Sequence, residues 1–201
     1  MALFTNLAAI VLAAGFSRRM GGENKLLKPL YGKPLVAHAL AGLAELGLAR
    51  LVVVLGQSAD DITPLLPPSA TVARNPRASE GMGASLAAGA AQLMPPLAGV
   101  FVVLGDMPFV TRADYEKLAT AFRQAGDDAI CVPLHQGQRG HPVLFAARYF
   151  PALAALHGDS GARGLLASSQ ARLREVEGCS AGILTDFDDP ASFAAYAASG
   201  P

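Results

Sequence analysis

Three uninterrupted apolar runs constrain this chain most: Leu7-Ala8-Ala9-Ile10-Val11-Leu12, Leu51-Val52-Val53-Val54-Leu55 and Val100-Phe101-Val102-Val103-Leu104. They are too short to cross a bilayer and lack the alternation of a strand with one wet face. Each therefore reads as a strand covered on both sides. Strands are expected near 7–13, 50–55, 70–74, 99–105, 128–133, 142–146 and 171–176. Helical patterns fall near 34–47, 58–66, 82–94, 111–125, 148–156, 161–169 and 190–199. This alternation specifies an α/β fold, mostly parallel and layered helix–sheet–helix. Pro34 suits a helix start, Thr111 an N-cap and Gly126 a stop. The Pro67-Pro68 and Pro95-Pro96 pairs punctuate connections. With no repeat, low-complexity stretch or linker, 201 residues make one domain, 1–201.

The 16 basic and 16 acidic residues cancel and are scattered, which argues against a nucleic-acid partner. Cys131 and Cys179 form no metal or redox spacing, and Cys131 sits in an apolar run that reads as core. No Lys or Arg precedes the first apolar run, so a signal peptide is not expected. The expectation is a cytoplasmic protein with no membrane association.

Chemistry concentrates just past the first run, in Leu12-Ala13-Ala14-Gly15-Phe16-Ser17-Arg18-Arg19-Met20-Gly21-Gly22-Glu23-Asn24-Lys25. Small residues expose backbone N–H groups, and Arg18, Arg19 and Lys25 supply positive charge, a combination suited to a polyphosphate. It is neither a Walker A motif, because no Gly-Lys-Ser/Thr is present, nor a G-x-G-x-x-G fingerprint. In open parallel sheets ligands bind beyond the carboxyl ends of the strands. The loops after 7–13, 70–74 and 99–105 should therefore converge. The last of these carries Gly105-Asp106-Met107-Pro108, where Asp106 is placed either to hold Mg²⁺ on phosphate oxygens or to cap a turn.

The opening loop resembles the L-A-A-G-x-S-x-R-M-G-x-x-x-K signature of the nucleotidyltransferases related to molybdenum-cofactor biosynthesis. The resemblance implies a Rossmann-like sheet of the nucleotide-diphospho-sugar transferase type, similar to the sugar-phosphate and methylerythritol-phosphate enzymes. It assigns Leu12, Ala13, Ala14 and Gly15 to nucleotide binding, and Arg19 and Lys25 to the triphosphate. Gly105-Asp106-Met107-Pro108 matches the family loop whose Asp binds metal. Thr185-Asp186-Phe187-Asp188-Asp189-Pro190 looks like the D-x-D-T-P element, with Asp189 in place of Thr. Asp186 is favoured as the second metal ligand and Asp188 is the alternative. Asp189 would cap a helix begun at Pro190.

Asn75-Pro76 with Gly81-Met82-Gly83-Ala84-Ser85 resembles N-P-x(4)-G-x-x-x-S, placing Asn75, Gly81 and Ser85 near ribose or base; a capping turn without ligand is the other reading. Arg139-Gly140-His141-Pro142-Val143 resembles R-G-H-P-V and would put Arg139 and His141 on the acceptor side. In Gly158-Asp159-Ser160-Gly161-Ala162-Arg163, Arg163 would either grip an acceptor phosphate or steady a carboxylate. The double-Ala opening goes with CTP in the family, the double-Gly form with GTP. The implied reaction is Mg²⁺-dependent transfer of CMP from CTP to the phosphate of molybdopterin, with a molybdenum hydroxylase as the partner receiving the product. Alternatives are guanylyl transfer, transfer to a sugar or polyol phosphate, and a non-catalytic cofactor chaperone. An oxidoreductase ranks last, since the glycine fingerprint is missing.

Overall fold

The apolar runs form the middle of a sheet, and consecutive residues Ala8, Ala9, Ile10 and Val11 are all at 0% exposure. Neighbours along a strand point to opposite faces, so burial of every one means that both faces are covered. The computed structural model describes residues 3–15, 24–169 and 172–188, together with Phe193 and Tyr196.

In chain order the elements are β1 (Leu7–Ala13), β2 (Pro29–Leu30), β3 (Lys33–Pro34), α1 (Leu35–Ala44), β4 (Arg50–Leu55), α2 (Ala59–Ile62), β5 (Ala70–Arg74) and α3 (Met82–Ala90). They continue with β6 (Gly99–Leu104), α4 (Arg112–Ala125), β7 (Ile130–His135), β8 (Gln138–Arg139), β9 (Val143–Ala146), α5 (Phe150–Ala154), α6 (Arg163–Ser168) and β10 (Leu173–Val176). The main sheet runs β10-β7-β9-β6-β1-β4-β5, with β8 paired to β7. β1 pairs in parallel with β4 and β6, β4 with β5, and β7 with β10. Only β8 and β9 run against their neighbours in this sheet. From β1 the chain moves outward through β4 and β5, then returns to the other side of β1 for β6. The reversal between β1 and β6 is where an open sheet leaves a crevice at its carboxyl edge.

Helix α3 lies directly on the sheet because Gly89 leaves room: a Cβ there would come 2.6 Å from Ile10 Cγ2 and 2.8 Å from Val54 Cγ2. That contact seats α3 on β1 and β4. Thr111 caps α4 as expected, with Asp114 completing a reciprocal capping box, and Gly126 ends the helix at φ +92°.

Some boundaries differ from those expected. β7 begins two residues later than expected and runs on to His135. There Gln136 (φ +50°) and Gly137 (φ +77°) turn it into the short β8, a hairpin the apolar pattern does not announce. α1 stops at Ala44, ahead of Gly47 at φ +73°, and α3 stops at Ala90. The expected helix over 190–199 lies outside the described residues, apart from Phe193 and Tyr196. Among the described residues no helix is long and apolar enough to cross a membrane.

Candidate active site

β1 delivers Leu12, Ala14 and Gly15 to one wall of a cleft of about 620 Å³, and β6 delivers Leu104 and Asp106 beside them. The Gly105 N–H donates to the Leu12 carbonyl at 3.0 Å, so the acidic loop is tied to the end of β1. Lys25 comes from a single 3₁₀ turn over Lys25–Leu27. The Asn24 side chain caps that turn by accepting from the Leu26 N–H at 3.0 Å, and Leu26 is buried in the core. One polar cap and one apolar anchor therefore aim the lysine.

The Lys25 ammonium donates to Asp106 Oδ2 at 2.5 Å and to Asp188 Oδ1 at 2.6 Å. Burial alone would lower its pKa, but the two carboxylates outweigh that and hold it above its ordinary value. Lys25 thus stays charged throughout the neutral range. Asp186 is the uncompensated member. Burial, then Asp188, then Asp106 push its carboxyl upward, and Lys25 only partly offsets them. Among the described residues, the carboxylates of Asp106, Asp186 and Asp188 all act on one ammonium.

The segment bearing Asp186 and Asp188 is held by packing on both sides. Phe187, between the two acids, is fully buried and meets Phe109, Phe193 and Tyr196 at ring-centroid distances of 5.9, 4.8 and 5.2 Å. Tyr31 extends this cluster through its contact with Phe109 and donates its hydroxyl to the Tyr196 carbonyl. From the other direction the His141 N–H donates to the Ile183 carbonyl at 3.0 Å, and Gly140 to Pro133.

Ala78, Ser79, Gly81, Met82, Ser85 and Asp159 line the same cleft. Asn75 is buried and does not line the cleft. Its amide donates to Ser85 Oγ at 3.1 Å, and its side-chain oxygen accepts from the Arg77 N–H, so it orients the serine from behind. Gly81 sits at φ +117°, and a Cβ on Gly83 would come 2.5 Å from the His157 carbonyl. Both glycines are needed to let the 157–161 loop close against α3.

The structure thus brings Leu12, Ala14, Gly15, Lys25, Gly81, Ser85, Asp106 and Asp188 to one cleft. Ala13 is buried behind it. Arg19 lies outside the described residues, as does the expected cap at Asp189. Asp188, the alternative metal ligand in the sequence reading, lines the cleft, whereas the favoured Asp186 does not. Phe187 is fixed in the core between the two acids, and Asp188 is the one that bonds Lys25.

Arg139 points away from the cleft and pairs with Glu175 at 2.6 Å. His141 is largely enclosed rather than open to an acceptor. Burial lowers its pKa despite a hydrogen bond with the Val102 carbonyl, and its Nδ1 is buried with no partner among the described residues. Arg163 is exposed on α6, within electrostatic range of His141. Leu26, Ala78, Ser79, Met82, Leu104 and Asp159 line the cleft without having been singled out. Of these, Asp159 had a signal, as the acid of the Gly158–Arg163 motif.

Grouped carboxylates, as hard oxygen donors, suit Mg²⁺ or Mn²⁺. Among the described residues no group of three or more His, Cys, Asp or Glu side chains could hold a metal by itself. A divalent ion here would rest on one or two carboxylates and take its remaining ligands from substrate phosphates and water, as Mg²⁺ prefers.

The family model for a MobA-like NTP transferase domain matches residues 9–176. The bifunctional protein GlmU of Paramagnetospirillum magneticum is 34% identical over 147 residues, covering 71% of this chain and 32% of that protein. The chain spans between a quarter and a third of the length of the curated relatives it matches. Among solved structures, the homologue of Mycobacterium tuberculosis Rv0371c from Mycobacterium sp. strain JC1 superposes with a TM-score of 0.84 at 29% identity, covering 98% of this chain and 97% of that one. The manganese complex of M. tuberculosis Rv0371c gives a TM-score of 0.75 at 26% identity, over 98% and 100% of the two chains. The matched span carries the strand-end loops that build most of this cleft, and the chain belongs to the MobA-like NTP transferase family, the nucleotidyltransferases.

Proposed function

We propose that this protein transfers CMP from CTP to the phosphate of a molybdopterin-type acceptor, releasing pyrophosphate with the aid of Mg²⁺. The observation that carries the reading is the Lys25 ammonium set between Asp106 and Asp188 at the switch point of the sheet, beside the Ala13-Ala14-Gly15 loop. In the reaction an acceptor phosphate oxygen forms a bond to the α-phosphorus. The bond from that phosphorus to the bridging oxygen breaks, and its electron pair leaves with pyrophosphate.

A phosphate monoester has a second pKa of about 6, so the nucleophile is already ionised at neutral pH. No side chain has to remove a proton, and catalysis is positioning and charge neutralisation. Lys25 stabilises charge on the triphosphate as pyrophosphate departs. Arg19, from the same loop, is proposed to share that work. Asp106 and Asp188, with Asp186 close by, would hold Mg²⁺, which supplies neutralising charge to phosphate oxygens when bound. The exposed position of Arg163 suits contact with the acceptor phosphate. His141 anchors the segment that leads to Asp186 and Asp188 through its bond to the Ile183 carbonyl, and a molybdenum hydroxylase is the proposed recipient of the product.

Pyrophosphate release measured with each of the four nucleoside triphosphates, Mg²⁺ and a molybdopterin acceptor tests the reading. CTP is expected to be the productive nucleotide. Release with CTP only when a sugar or polyol phosphate replaces the pterin would keep the fold's chemistry and overturn the acceptor. No release with any nucleotide would overturn the reading altogether.

A further inference from the structure

We propose that Asp159 reads the base of the nucleotide: its carboxylate accepts a hydrogen bond from an amino edge, so that CTP is taken in preference to UTP. This rests on the nucleotidyl-transfer reading and adds to it the determinant of base choice.

The cleft lining carries two kinds of chemistry. Lys25 and Asp106 stand together in the lining, and on the transfer reading the triphosphate lies with them, neutralised by the lysine and by the divalent ion that the carboxylates would hold. The base then lies toward Ala78, Ser79, Met82 and Asp159. Met82 is 46% exposed, an unusual placement for a large apolar side chain, and it lines the cleft there. A thioether on an open wall suits the face of a flat ring.

Asp159 is held next to this platform. The Gly83 N–H donates to the Gly158 carbonyl at 2.7 Å, and a Cβ on Gly161 would come 3.1 Å from Met82 Sδ. Asp159 and Met82 thus belong to one packed unit, formed where the 157–161 loop closes on the start of α3. Among the described residues no Lys, Arg or His forms an ion pair with Asp159.

A lone carboxylate on the wall of a cleft for a polyanion weakens binding by repulsion unless the ligand offers it a donor. Cytosine presents an amino group at position 4, where uracil presents a carbonyl oxygen. A carboxylate can only accept, so it satisfies the first and faces the second acceptor-to-acceptor. A site built around a polar partner rejects the analogue that lacks it more strongly than an apolar pocket can.

The test is calorimetric titration of the full chain with CTP and with UTP in the presence of Mg²⁺, for wild type, Asp159→Asn and Asp159→Ala. Wild type is expected to bind CTP at least about tenfold more tightly than UTP. Asp159→Asn supplies an N–H to the uracil oxygen and is expected to shift the CTP/UTP ratio toward UTP by about tenfold or more. Asp159→Ala is expected to lose CTP affinity without gaining UTP. An unchanged ratio in both variants overturns the proposal. Equal loss for both nucleotides also overturns it, placing Asp159 on the ribose hydroxyls. If wild type binds neither nucleotide, the transfer reading fails first and the base proposal with it, which separates the two failures.

Discussion

Two aspartates stand near the start of α4, Asp106 in the loop before it and Asp114 in its first turn, and their surroundings differ in kind. Asp114 accepts from the Thr111 N–H and Oγ1 at 2.9 and 2.8 Å, and from the Ser180 N–H and Oγ at 2.8 and 2.7 Å. Burial would raise its pKa, but these bonds outweigh it and hold the carboxyl below its ordinary value. It is fully satisfied by neutral donors and clamps the 178–181 loop to α4. Asp106 instead shares one ammonium with Asp188, with Asp186 close enough to be disfavoured as an anion. A closed set of neutral donors makes a structural clamp. Carboxylates grouped with a lysine on the wall of a cleft are placed to meet a ligand.

The strongest way to break this contrast is Lys25→Ala. Turnover is expected to fall on the order of 10²–10³-fold, as when one group stabilising transition-state charge is removed, while the folded state persists. Steady-state pyrophosphate release with a parallel thermal melt checks both parts, and wild-type turnover would remove the lysine from the reaction.

Phe187→Ala is next. Removing a fully buried ring should cost about 3–4 kcal/mol in urea unfolding. Because the ring fixes the acids on either side, the metal concentration for half-maximal activity should also rise. Destabilisation with unchanged metal dependence would show that the aromatic cluster holds the segment but not its carboxylates.

Asp114→Ala should lower stability by about 2–3 kcal/mol at neutral pH and leave turnover nearly unchanged at a permissive temperature. Its folded pKa is depressed, so its contribution is present above the unfolded value near 4 and is lost as pH falls through the folded value. The gap between wild type and variant in unfolding midpoints should therefore close below about pH 4. A gap that held constant into acid would mean the carboxylate charge is not what stabilises the clamp.

The smallest effect is expected from Arg139→Ala, whose exposed pair with Glu175 should contribute less than about 1 kcal/mol. A raised KM for the acceptor with an unchanged KM for CTP would return Arg139 to the acceptor side of the cleft.

Much of this was legible in the chain itself. Every central strand appeared as an apolar run, because burial on both faces leaves no polar position to confuse the pattern. Asp106 and Lys25 were legible because each stands at a fixed offset from such a strand. The choice between Asp186 and Asp188 was not, since alternation says that two residues share a side but not which one reaches across to Lys25. Asn75 shows the same limit: its motif marked the right turn, yet the side chain supports Ser85 from the core. Cys131 followed its local signal, and burial pushes its thiol up to about 11, away from nucleophilic use.

Hydrophobic periodicity and the small-residue loop therefore determined the sheet, its mostly parallel sense and the edge at which the cleft opens, because those depend on neighbours along the chain. Only the tertiary structure decided which charges meet. Lys25 is 81 residues from Asp106 and 163 from Asp188, and their contact depends on strand order and on the packing of Phe187. Coulombic pairing is set by distance in space, which no local pattern encodes.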